Sequence, residues 1–114
     1  AAPGGAETRH LVDAAVLRAL GTEGFLVNIA RGSVVDTGAL IEALEQDRIA
    51  GAGLDVVEGE PDNIPARLTR LENVILTPHI AGRSPEAVRA TVRLVIDNLR
   101  AHFSGQPLLT PVSA

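Results

Sequence analysis

Three kinds of side chain, of complementary chemistry, each follow an apolar run. Arg31 comes directly after Phe25-Leu-Val-Asn-Ile-Ala30. Glu58 and Glu60 follow the run Ile49 to Val57, and His79 follows Asn73 to Thr77 with only Pro78 between. An imidazole gives or takes a proton near neutral pH. A carboxylate beside it favours the imidazolium and holds the ring in one orientation. A guanidinium forks onto a carboxylate with two charge-assisted hydrogen bonds. Together these groups suit an anionic substrate whose neighbouring oxygen exchanges a proton, as when a 2-keto acid is reduced to a 2-hydroxy acid. No side chain supplies hydride, so the chemistry implies a nicotinamide cofactor. Asp55 is a fourth polar group, set inside the second apolar run. A carboxylate there is costly unless hydrogen-bonded. It reads either as a satisfied structural aspartate or as a partner for a nicotinamide amide.

The elements that must position these groups follow from pattern. Residues 1–7 are small, rich in Pro and Gly and turn-forming. Thr8 is a candidate N-cap for a helix over about residues 9–20, stopped by Gly21. A strand follows over about 25–30; its continuous apolar run reads as buried on both faces. Asp36 is the next N-cap, and Leu40, Ala43 and Leu44 form the inward stripe of a helix ending near Asp47. Residues 49–57 and 73–77 read as two further strands, joined by a polar, proline-broken stretch with one helical turn near 66–71. Ser84-Pro85-Glu86 opens a last helix: a hydroxyl cap, a proline at the first turn and an acid at the positive end of the dipole. Val88, Val92, Val95, Ile96, Leu99 and Phe103 mark one face of it, and Gly105 ends it. This alternation of helices and apolar strands implies a parallel α/β sheet with right-handed crossovers. In such a sheet ligands bind beyond the carboxyl ends of the strands, so all three groups reach the same edge.

Composition narrows the alternatives. The 114 residues suffice for one small domain, and 46% are hydrophobic, but aromatics are only 2%, so aliphatic residues must fill the core. The net charge of −4 and the lack of a basic cluster argue against nucleic acid as a partner. No run reaches the roughly 20 apolar residues that cross a bilayer. There is no cysteine, and His79 has no second ligand at a recognisable spacing, so no metal site is expected. His10 and His102 fall on expected helices and receive no role. Gly51-Ala-Gly53 precedes a strand, whereas a phosphate-binding Gly-rich turn follows one. No signal peptide is visible, so a cytoplasmic protein is expected, and the Ala-Ala-Pro-Gly-Gly start and the absence of methionine suggest a piece of a longer one.

Four stretches in order, Asn28-Ile-Ala-Arg-Gly-Ser-Val-Val-Asp36, Ala50-Gly-Ala-Gly-Leu-Asp-Val56, Glu60-Pro61 and Leu76-Thr-Pro-His-Ile-Ala81, resemble the successive signatures of the D-isomer-specific 2-hydroxyacid dehydrogenases, with the flavour of the glyoxylate/hydroxypyruvate reductases. The resemblance implies the second half of a Rossmann-like doubly wound sheet, a fragment of a two-domain protein. Residues 1–104 would be the C-terminal part of the NAD(P)-binding domain, with 84–104 as the return helix and 105–114 as a tail toward the substrate domain. It implies Arg31 as the substrate clamp, His79 as the acid/base and Glu60, not Glu58, as its partner. It places Asp55, Ile29, Ala30, Ile80, Ala81 and Gly82, and also Pro3, Thr8, Arg31 and His79, beside NAD or NADP. It further implies a small 2-keto or 2-hydroxy acid substrate, a homodimer, and no activity for the isolated fragment. A non-catalytic module that senses NAD(H) or binds a protein on the same fold is the alternative.

Overall fold

The fold is described from a computed structural model, for residues 2–112. Residue 1, the first of the expected opening turn, and residues 113 and 114, the last two of the expected tail, lie outside the described residues. The chain divides into two units, Ala1–Ala81 and Gly82–Ala114.

The first unit runs α1 (Ala14–Leu20), β1 (Phe25–Asn28), α2 (Thr37–Glu45), β2 (Gly51–Leu54) and β3 (Val74–Leu76), with short 3₁₀ turns at Ala6–Thr8, Gly32–Val34 and Leu68–Arg70. The strands form one parallel sheet in the order β1-β2-β3, with Phe25 opposite Gly51 and Ala52 opposite Val74. Leu17 of α1 and Leu40, Ile41 and Leu44 of α2 pack with Ile49, Ala52, Leu54 and Leu68 in the core. Burying each leucine or isoleucine contributes about 1.5–3 kcal/mol.

Three expectations fail here. Asp13, not Thr8, caps the first helix; its carboxylate accepts from the N–H groups of Ala15 and Val16 at 2.9 and 3.0 Å. The Thr8 hydroxyl is committed elsewhere, to the carbonyls of Pro3 and Gly5. The strands are also not buried on both faces. Leu26, Ala52, Leu54, Val74 and Leu76 face the core, while Phe25, Val27 and Ile75 are 69%, 70% and 71% exposed. The alternation is the ordinary period of a strand covered on one side; apolar residues at both parities hid it. Gly51-Ala-Gly53, expected to precede a strand, lies within β2, and Asp55 follows that strand directly. Asp36 caps α2 as expected, its side chain accepting from Ala39 N at 3.0 Å.

The second unit is α3 (Pro85–Phe103) and the segment after it. The Ser84 hydroxyl accepts from Ala87 N at 3.1 Å and Pro85 occupies the first turn, as the sequence implied. Arg89 pairs with Glu86, and Arg93 and Arg100 pair with Asp97, which fits a solvated side. The apolar stripe is itself exposed, from 42% at Ile96 to 82% at Phe103. Asn98 holds the following segment by accepting from the backbone of Leu109 and Thr110. Among the described residues no helix is long and apolar enough to cross a membrane.

Candidate active site

The loops that leave β1, β2 and β3 carry Arg31, Glu58 with Glu60, and His79 to the carboxyl edge of the sheet. Glu60 and His79 meet there: Glu60 Oε1 lies 3.1 Å from His79 Nδ1. The histidine side chain is 55% exposed, its partner 27%. With Nδ1 committed to the carboxylate, Nε2 on the far side of the ring is left for a ligand.

Asp55 builds the loop that presents this histidine. It is 5% exposed. Its Oδ1 accepts from the Thr77 hydroxyl and from Ile80 N at 2.9 Å; its Oδ2 accepts from Ala81 N at 2.9 Å. Its backbone carbonyl accepts from His79 N at 3.0 Å. These bonds hold His79 at φ 54°, a left-handed conformation that a residue with a Cβ takes only when its surroundings impose it. The Thr77 hydroxyl, and after it the Ala81 N–H, hold the Asp55 carboxyl below the usual carboxylate range; desolvation opposes them, while the Ile80 N–H and the nearby His79 assist. Of the two readings of Asp55, the satisfied structural one is what the contacts display.

Arg31 is set by the turn after β1. The buried Asn28 bridges that turn, its amide donating to Arg31 O at 3.0 Å and its carbonyl accepting from Ala30 N at 3.0 Å. The exposed guanidinium donates through Nη1 to Ala30 O at 2.7 Å. Among the described residues it makes no other hydrogen bond, which leaves donors for an anion. Gly32 lets this turn touch the loop after β2: a Cβ there would lie 2.3–2.5 Å from the backbone of Val57 and Glu58. Only glycine permits that approach.

Of the expected cofactor residues, Ile29 and Ala30 follow β1 and Ile80 and Ala81 follow β3. Ile29 and Ile80 are 58% and 44% exposed, and Ala81 is exposed beside them in sequence. Ile29 and the buried Ala30 join Val12, Leu26, Asn28 and Val34 around an open depression of about 220 Å³. Pro3 and Thr8 are joined by their 2.7 Å hydrogen bond on the segment before α1. Gly82 is the first residue of the second unit, and a Cβ there would meet nothing within 4 Å. Exposed apolar surface beside an arginine and a histidine fits the nicotinamide end of a dinucleotide. No G-x-G-x-x-G turn occurs in the 114 residues, so the chain's own residues do not fit the pyrophosphate end.

Sequence reasoning missed two residues. Asn28 carried a signal, a polar residue closing an apolar strand. His10 was placed on a helix, but the structure puts it in a turn at φ 52° with Nε2 2.9 Å from Glu58 Oε1. Those residues are 48 apart in sequence, and no spacing rule connects them.

A parallel sheet with these groups at its carboxyl edge belongs to the Rossmann-like class of dinucleotide-binding folds. Residues 1–81 match the family described as D-isomer specific 2-hydroxyacid dehydrogenase, NAD binding domain, and the chain belongs to that family. It is 52% identical over 106 residues to a glyoxylate/hydroxypyruvate reductase A of Arabidopsis thaliana, covering 93% of this chain and 34% of that protein. It is 50% identical over 106 residues to hydroxyphenylpyruvate reductase of Plectranthus scutellarioides, with the same coverage. Among solved structures it resembles NADPH-dependent glyoxylate/hydroxypyruvate reductase of Sinorhizobium meliloti in complex with NADP and malonate. There the identity is 51% and the TM-score 0.88, over 98% of this chain and 35% of that one. The chain thus spans about a third of the length of the relatives it matches.

Proposed function

We propose that this chain is the C-terminal part of the nucleotide-binding domain of an enzyme that interconverts a small 2-keto acid and its 2-hydroxy acid with NAD or NADP. The observation that carries the reading is the Glu60–His79 pair standing at the same sheet edge as Arg31. When bound, the nicotinamide supplies the hydride. The protein's own residues do the rest. Arg31 holds the substrate carboxylate through its free guanidinium donors. His79 donates the Nε2 proton to the substrate oxygen as the carbonyl carbon is reduced. The products are the hydroxyl and a neutral imidazole, which Glu60 keeps oriented through Nδ1. In the reverse direction the same nitrogen takes the hydroxyl proton. Ile29, Ala30, Ile80, Ala81 and Gly82 would line the nicotinamide side, with Pro3 and Thr8 across from them. Asp55 would reach the nicotinamide amide only through the lone pairs its own loop leaves free.

Glyoxylate or hydroxypyruvate is the substrate type in this reading, because relatives that share half the residues carry those names. Residues 1–104 would complete a nucleotide-binding domain, 84–104 would return toward a substrate domain, and 105–114 would lead into it. A homodimer in the cytoplasm is the expected setting. The test is turnover: the complete polypeptide carrying this chain should oxidise NADH or NADPH in the presence of glyoxylate or hydroxypyruvate. Binding of the cofactor with no turnover of any small 2-keto acid would refute the reading and favour a sensing module.

A further inference from the structure

A second histidine–carboxylate pair lies in the same unit, outside the trio. His10 Nε2 is 2.9 Å from Glu58 Oε1, and its Nδ1 is 3.8 Å from Asp36 Oδ2. The histidine and glutamate side chains are 32% and 27% exposed, more sheltered than that of His79. Two other groups face Glu58: the Arg9 guanidinium at 3.6 Å and the Thr37 N–H, which donates to Oε2 at 3.5 Å. Burial pushes the Glu58 carboxyl up, but the hydrogen bonds from His10 and Thr37 outweigh it and leave it below its ordinary value.

The pair's position gives it a role. His10 N donates to Ser33 O at 2.8 Å, and Val12 N to Val34 O at 3.0 Å, so the segment before α1 is laced to the turn that follows Arg31. Glu58 stands on the loop after β2, two residues before Glu60. Glu60 Oε2 accepts from Val57 N at 3.4 Å within that loop. The two loops already touch where Gly32 meets the backbone of Val57 and Glu58. That contact fixes how near they come, but not their slide past one another. The His10–Glu58 bond spans the same junction from the side. We infer that His10 and Glu58 are a positioning pair, which locks the loop bearing Glu60 against the loop bearing Arg31 and so sets the imidazole acid relative to the substrate clamp. This rests on the proposed 2-keto acid reductase reading. Neither residue touches the reacting atoms.

The experiment uses the complete polypeptide, with glyoxylate and hydroxypyruvate as probes. Wild type is assayed beside His10→Ala, Glu58→Ala, the double variant, His10→Gln and Glu58→Gln. A wild type that does not turn over refutes the function reading and not this pairing alone. With an active wild type, each alanine variant should lose about tenfold in kcat/KM, a loss typical of small misplacements of catalytic groups. The loss should fall mainly on kcat, because the imidazole is displaced from the bound substrate, while the NAD(P)H dissociation constant stays within about twofold. The double variant should be no worse than the weaker single one, as for two ends of one contact. Glutamine at residue 10 keeps a donor toward Glu58 and should recover most of the rate. If the alanine variants do not fold, the two glutamine variants decide: Glu58→Gln should lower kcat and His10→Gln should not. A loss of thermal stability with an unchanged kcat, or additive losses in the double variant, would overturn the inference.

Discussion

At the residue scale the site is a set of backbone hooks as much as a set of reactive groups. Asn28 shapes the turn of Arg31, and Asp55 shapes the loop of His79. The depressed Asp55 carboxyl makes a pH prediction. Its folded value lies below its unfolded one, so its contribution is complete above the ordinary aspartate range and is lost as pH falls through the folded value. Asp55→Asn would put an NH₂ group against one of the N–H donors, and should lower the urea midpoint at neutral pH. The gap from wild type should narrow in acid as the native carboxyl protonates; a gap independent of pH would show that the charge is irrelevant. Glu60→Gln should leave the chain folded and lower kcat for reduction by the complete polypeptide, and an unchanged kcat would deny Glu60 its role. Gly32→Ala forces a Cβ to within 2.5 Å of backbone and should cost about 1–3 kcal/mol in denaturant unfolding, the range of overpacked sites. The trio was legible in the sequence because residue type and position after each strand were both local signals. The hooks were less so: the partners of Asp55 are 22–26 residues away, and the partner of His10 is 48 away.

At the element scale, caps and stripes read well where a single candidate was present. Asp36 and Ser84 each stood directly before a periodic segment, and both cap. Thr8 and Asp13 competed before α1. The carboxylate took the helix N–H groups, while the hydroxyl closed a turn to Pro3. Asp36→Ala should cost about 1 kcal/mol as a lost cap, and Leu40→Ala, at 1% exposure, about 2–5 kcal/mol. Both are measurable as shifts in urea midpoint. A Leu40→Ala cost under 1 kcal/mol would mean that the α2 stripe is not the core. The strand misreading has the same physics: an apolar run states that a strand can be covered, not which of its faces is.

At the scale of the whole molecule, the uncovered residues matter most. Phe25, Val27 and Ile75 present one open sheet face, and α3 presents a separate exposed stripe. Large exposed apolar patches bind something or associate. The 114-residue polypeptide on its own should therefore self-associate with rising concentration, and Val27→Glu with Ile75→Lys should reduce this in sedimentation experiments. A monodisperse monomer across the concentration range would contradict it. The family resemblance was legible over nearly the whole chain, since four motifs in order carry more than any one. The cofactor preference was not, because without a G-x-G-x-x-G turn in these 114 residues no acidic residue can be picked out as a reader of the ribose.

The most direct test of the central claim is single-turnover hydride transfer by His79→Asn in the complete polypeptide, with cofactor affinity measured in parallel. The account predicts a loss of about 100-fold or more in the transfer step, the scale of general acid catalysis, with NAD(P)H binding nearly unchanged. Transfer at the wild-type rate would contradict it, and the paired imidazole at the sheet edge would then be a structural feature rather than the proton donor.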